Sequence, residues 1–151
     1  MTTTTRKTAL LVLGMHRSGT SAVAHLLSLL GAQLPRDLIG AAADNPAGFW
    51  ESETVVRIDD DLLRLLGSSW RSSFNPPADF MAAPGVQALL REATAYLHQE
   101  FAGTDCFVLK DPRMCRLMPF WLAALDEADA DVAAVLALRT PEAVARSLRR
   151  R

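Results

Sequence analysis

Residues Ala9–Leu13 (ALLVL) are apolar at every position, and the run stops at Gly14. Gly19-Thr20-Ser21 follows four residues later and opens an apolar helical stretch. A short run apolar throughout, rather than at alternate positions, reads as a strand buried on both faces, as in a parallel sheet. A buried strand, a glycine-bounded turn and a helix N-terminus together make a phosphate cradle. The glycines let backbone approach an anion, and the first N–H groups of the helix point at it. Gly14-x-x-x-x-Gly19 has the spacing of a P-loop, but Thr20 stands where an ATPase carries its phosphate-binding lysine. The nearest cation is Arg17, inside the loop. An ordinary strand–turn–helix with two glycines has the same spacing.

The remaining chain predicts strands alternating with helices. After a polar, Thr-rich lead (residues 1–8) and the strand Ala9–Leu13, a helix is expected over Thr20–Leu30, with Val23, Leu26, Leu27 and Leu30 on one apolar face. Residues 33–52 are irregular, with an Asp44-Asn45-Pro46 turn signal, and end in Gly48-Phe49-Trp50-Glu51. A connection this long inside a domain is usually functional. Two aromatics beside one carboxylate suit a pocket wall, or a surface turn with Glu51 capping the next helix. That helix is expected over Glu53–Leu66, and another over Gly85–Phe101, separated by a loop carrying Trp70 and Phe74. A second strand, Cys106–Leu109, ends in Lys110-Asp111-Pro112-Arg113, and polar groups at the carboxyl end of a parallel strand are where ligands sit in open α/β sheets. A helix over Pro119–Glu127 and a third buried strand, Val132–Leu138, lead directly to Arg139. Thr140-Pro141-Glu142 then start the last helix, with a cap, a proline at the first position and an acid in the first turn. The expected fold is therefore α/β: a P-loop-like three-layer sandwich with a parallel sheet flanked by helices, a single domain over residues 9–151. Three strands are few, which suggests a domain short of its C-terminal part.

Charge and cysteine usage narrow the function. The 151 residues carry a net charge of −1, which gives no global footprint for nucleic acid or an anionic membrane. Positive charge gathers at the C-terminus, in Arg139, Arg146, Arg149, Arg150 and Arg151, and an acidic cluster spans Asp126–Asp131. Two cysteines, Cys106 and Cys115, have no metal-ligand spacing and make no disulfide framework. No stretch approaches the roughly 20 apolar residues that span a bilayer. A cytoplasmic protein is the default expectation.

Four motifs resemble one family. Gly14-Met15-His16-Arg17-Ser18-Gly19-Thr20-Ser21 is similar to the 5′-phosphosulfate-binding loop of the sulfotransferases, with Arg17 at the cation position as in the tyrosylprotein branch and many bacterial members. Leu109-Lys110-Asp111-Pro112-Arg113 resembles the Lys-Asp-Pro segment after that family's second strand, which gives Lys110 a role at the transferring sulfuryl group. Arg139, with Ser147 eight residues on, resembles the pair that binds the 3′-phosphate. Asn45-Pro46-Ala47-Gly48-Phe49-Trp50-Glu51 looks like the bacterial members, and makes Glu51 the candidate general base. The histidine base of the cytosolic small-molecule enzymes has no counterpart, because Asp111-Pro112 follows Lys110. Full sulfotransferases also continue past the point where this chain stops.

The resemblance implies sulfuryl transfer from 3′-phosphoadenosine 5′-phosphosulfate to a hydroxyl or amine of a small-molecule, carbohydrate or peptide acceptor. Arg17, Ser18, Gly19, Thr20, Ser21, Arg139 and Ser147 would hold the nucleotide, and Arg17, Lys110 and Glu51 would serve the chemistry. No metal is implied, nor a nucleic-acid or membrane partner. The alternatives are a P-loop nucleotide kinase or NTPase, and a non-catalytic nucleotide-binding fragment of a sulfotransferase.

Overall fold

The computed structural model describes residues 6–42, 45, 48–72 and 75–149. Residues Met1–Thr5 of the lead, Asp44, Pro46 and Ala47 of the turn, Phe74, and the terminal Arg150 and Arg151 lie outside the described residues.

The elements follow the order β1 (Lys7–Leu13), α1 (Thr20–Leu29), α2 (Glu53–Leu65), α3 (Val86–Glu100), β2 (Cys106–Lys110), α4 (Met118–Glu127), β3 (Ala130–Leu136) and α5 (Pro141–Leu148). Single 3-10 turns at Phe80–Ala82 and Pro112–Arg116 lie in the connections. The strands form a three-stranded parallel sheet in the order β2-β1-β3, with helices on both sides. Alternation along the strands sorts the two faces. Ala9, Leu11, Phe107 and Leu109 share one core with α2, α3 and α4, and Phe107 there stacks on Phe101 with centroids 3.9 Å apart. Val12 and Val108 point the other way and pack with Ala24 of α1 and Ala32. Ser52 caps α2, its hydroxyl accepting from the Val55 N–H at 3.0 Å, so Glu51 is not the cap.

Several expectations are corrected. The lead ends earlier than expected: Lys7 and Thr8 already belong to β1, and Arg6 pairs with Asp126 and Asp131 at 2.9 Å each. The face of α1 that looks at the sheet is set by its small residues, Thr20 and Ala24, which let the helix lie close. Val23 and Leu27 flank that contact, while Leu26 and Leu30 of the expected apolar face, with Leu29, are exposed. β3 begins and ends two residues earlier than expected and is not buried: only Ala130 joins the core, and the six residues after it are exposed. Its apolar composition suits a covered strand, but it is a sheet edge, and burial is set by neighbours rather than by composition. Thr140 sits at the N-cap position of α5 without a side-chain capping hydrogen bond. No helix among the described residues is long and apolar enough to cross a membrane.

Candidate functional site

The carboxyl ends of the three strands meet at the loop between β1 and α1. Gly14 makes this possible. Its φ is 150°, and a Cβ there would lie 2.6 Å from the Ala137 carbonyl oxygen, so only glycine lets the chain leaving β3 pass so close to the loop. Ala137 donates its N–H to the Leu13 carbonyl at 2.8 Å and ties the two segments. Gly14 N–H in turn donates to Cys115 Sγ at 3.2 Å. Within the loop, Arg17 (φ 68°) and Gly19 (φ 93°) both take the left-handed region, which for arginine is uncommon and marks a held conformation.

The N-terminus of α1 suits an anion. Its hydrogen-bond ladder starts with Val23 N–H to the Gly19 carbonyl at 3.2 Å, so the amides of Thr20, Ser21 and Ala22 precede it. No side chain caps this end and no acidic residue sits in its first turn. The Ser18 amide, expected to join this set, donates instead to the Met15 carbonyl at 3.1 Å and closes the turn.

Residues far apart in sequence converge on this loop. Arg17 Nε donates to Ser147 Oγ at 3.0 Å, which links the loop to α5. Arg139 donates from a terminal nitrogen to the Arg17 carbonyl at 2.9 Å, while its side chain remains exposed. On the opposite rim Lys110 is buried at the end of β2 and forms an ion pair with the buried Glu51. Lys110 Nζ also donates to the Phe49 carbonyl at 3.0 Å and sits 3.5 Å from Ser21 Oγ, which donates to the same carbonyl at 3.1 Å. The segment Phe49–Glu51 is thereby tied to both the loop helix and β2. Lys110 is not the solvent-facing strand end that a bare reading of its position allows.

Together these groups line a cleft of about 380 Å³. Arg17, Gly19, Thr20, Ser21, Glu51, Lys110, Arg139 and Ser147 all border it. Ser18, the remaining expected ligand, belongs to the same loop but is not part of the lining. The aromatic wall comes from Phe49 and from Trp50, whose ring stacks on His25 with centroids 4.2 Å apart and planes at 12°. Trp50 itself has φ 59°, an unusual value for a bulky residue, and this turn presents its ring to His25.

Beneath the Lys110 rim lies a buried ionic layer that motif reading does not reveal. Asp111 is fully buried, accepts from the Arg113 N–H at 2.7 Å and pairs with the Arg113 guanidinium at 2.7 Å. Arg113 also pairs with Asp60 at 2.9 Å. Asp59 accepts from Trp121 Nε1 at 2.7 Å, and its second oxygen has no hydrogen-bond partner among the described residues. Burial, reinforced by the Asp111 charge, pushes the Asp59 carboxyl well up. Burial likewise raises Asp111 to about 6, against the pull of the Arg113 charge. One signal for this layer was present: Val55, Ile58, Asp59 and Leu62 share the apolar face of α2, and an aspartate on such a face needs a buried partner.

Among the described residues no cluster of three or more His, Cys, Asp or Glu side chains is placed to hold a metal ion. No protein-family model matches this sequence, no curated protein matches it, and no solved structure matches its fold.

Proposed function

We propose that this chain is a sulfotransferase that moves a sulfuryl group from 3′-phosphoadenosine 5′-phosphosulfate to an acceptor hydroxyl or amine. The observation that carries the reading is the Arg17–Ser147 hydrogen bond at 3.0 Å, with Arg139 held on the Arg17 carbonyl. Two motifs 130 residues apart in sequence meet at one cleft, and the other two, through the Lys110–Glu51 pair, face it from the other rim.

In this reading the amides of Gly19, Thr20 and Ser21, with the Thr20 and Ser21 hydroxyls, hold the 5′-phosphosulfate at the positive end of α1. Arg139 and Ser147 take the 3′-phosphate, for which the planar guanidinium is well matched. Glu51 accepts the proton of the acceptor as its oxygen or nitrogen bonds to sulfur. The bond between sulfur and the bridging oxygen breaks, leaving adenosine 3′,5′-bisphosphate. Arg17 and Lys110 neutralise the charge that grows on the bridging and sulfuryl oxygens. Glu51 and Lys110 neutralise each other as an ion pair. An arriving anion draws Lys110 toward itself and leaves Glu51 free to act as the base. No step calls on a metal.

The test is nucleotide product formation from the phosphosulfate donor, assayed with panels of hydroxyl and amine acceptors. Turnover is expected without added metal, reduced about 100-fold or more by Arg17→Ala. Full activity in that variant would remove Arg17 from the chemistry. Phosphoryl transfer from ATP that requires Mg²⁺ would instead favour a kinase, a reading weakened by Thr20 at the lysine position. Tight nucleotide binding without turnover would mark a non-catalytic nucleotide-binding fragment.

A further inference from the structure

Glu51 is set in place from behind the cleft. After Gln33 bridges to Phe107 at the edge of β2, the connection between α1 and α2 closes on itself just before α2, where Leu38 and Ser52 form an antiparallel bridge. Ile39 N–H donates to the Glu51 carbonyl at 2.8 Å, and Glu53 N–H donates to the Asp37 carbonyl at 2.8 Å. Glu51 therefore sits at the neck of a loop, held through its own carbonyl and through the residues that follow it.

The side chain of Asp37 locks this neck. Its Oδ2 accepts from the Ser52 hydroxyl at 2.9 Å and from the Thr54 N–H at 3.0 Å, and its Oδ1 accepts from the Tyr96 hydroxyl at 2.8 Å. Tyr96 Oη and Ser52 Oγ lie 2.8 Å apart and complete the triangle. Against the upward push of partial burial, the hydrogen bonds from Thr54, Tyr96 and Ser52 hold the Asp37 carboxyl below its usual range, so it is ionised at neutral pH. Arg36 beside it is fixed to α3: its N–H donates to the buried Glu100 carboxylate at 2.6 Å, and its guanidinium pairs with the same group at 3.1 Å. α2 does not depend on Asp37 for its cap, because Ser52 already accepts from the Val55 N–H. What Asp37 adds is a fixed position for Ser52, and with it for the residue before.

We propose that Asp37, braced by Tyr96, is the positioning residue for Glu51 and holds its carboxylate against Lys110 at the cleft. Asp37 and Tyr96 lie outside the cleft lining, so they act through Glu51 and not on a ligand. The consequence for rate rests on the reading of Glu51 as the base. A base works only within hydrogen-bond reach of the proton it takes, and a shift of about 1 Å in such a group can cost about 100-fold. The hold on the Glu51–Lys110 pair itself does not depend on that reading.

A double-mutant cycle read by urea unfolding tests the hold without any turnover. Glu51→Gln, Lys110→Met and the double variant are measured in the native chain, in Asp37→Ala and in Asp37→Asn. The coupling between positions 51 and 110 is expected to shrink in Asp37→Ala. It should return in Asp37→Asn, whose amide oxygen still accepts from Thr54 and Ser52 while its nitrogen donates to Tyr96. In nucleotide product formation from the phosphosulfate donor, Asp37→Ala should lower kcat about 10- to 100-fold with the affinity for adenosine 3′,5′-bisphosphate unchanged, and Asp37→Asn should restore most of the rate. Tyr96→Phe removes one hydroxyl and moves both readouts in the same direction, which keeps the test open if Asp37→Ala does not fold. A coupling that is the same with and without Asp37 overturns the proposal. So does a loss that Asp37→Asn does not restore, or one that carries bisphosphate affinity down with it. A native chain that forms no product from the donor would count against the sulfotransferase reading, and the cycle would still decide whether Asp37 holds Glu51.

Discussion

β2 and β3 flank the same strand, run in the same direction, and each delivers a cation to the same cleft. They do so from opposite environments. β2 is sandwiched between two cores, and its Lys110 is buried and paired with Glu51. β3 is exposed after its first residue, and Arg139 reaches the loop from solvent, donating to the Arg17 carbonyl. A buried cation must have its partners in the fold itself, so Lys110 is bound up with stability. An exposed one can be kept for a ligand, since water solvates it until the ligand arrives.

The sharpest break of this contrast is Lys110→Ala. It leaves Glu51 buried without its counter-ion, and the expected loss is about 3–5 kcal/mol in a urea denaturation midpoint analysis. The double variant Lys110→Met/Glu51→Gln removes both charges and should recover most of that loss. If Lys110→Ala unfolds no more easily than the native chain, the pair is not the structural link described. Arg139→Ala is the counterpart. It should change stability by no more than about 1 kcal/mol, as for an exposed side chain. Its effect should appear in ligand affinity, where losing charge-assisted hydrogen bonds to a phosphate weakens binding by about 10- to 100-fold.

The difference between the two strands was only half legible in sequence. The apolar runs located all three strands, and Gly14 with Gly19 located the loop. The same apolarity made β2 and β3 look alike, because a run of residues reports what a strand tolerates and not what lies over it. Arg139 and Ser147 are separated from Arg17 by the whole domain, so their meeting depended on the topology β2-β1-β3 and on Gly14 admitting Ala137. The Glu51–Lys110 pair had no periodic signal at all. It follows from Ser52 capping α2, which fixes where the preceding residue points, and from Phe49 being tied to Ser21. The ionic layer under Lys110 was visible only as Asp59 on an apolar helix face.

The smallest expected effect concerns that layer and pH. Asp111 is raised to about 6 by burial, whereas in the unfolded chain an aspartate titrates near pH ~4. Between these values the folded chain holds a proton that the unfolded chain has released. This contribution to stability is complete below about pH 4 and is lost as pH rises through about 6. Asp59→Asn keeps an acceptor for Trp121 and removes a second buried carboxyl that burial also raises, so the decline between pH 4 and 7 should flatten. Urea midpoints measured across that range check it. An unchanged slope in Asp59→Asn would mean that Asp59 holds no proton in the folded chain that the unfolded chain releases over this range.

Calorimetric titration with adenosine 3′,5′-bisphosphate in metal-free buffer, run beside ATP with and without Mg²⁺, tests the central claim most directly. Binding of the bisphosphate without metal is expected, with loss of most of that affinity in Arg139→Ala while the fold stays intact. Preference for ATP with Mg²⁺, or bisphosphate binding that Arg139→Ala leaves untouched, would contradict it.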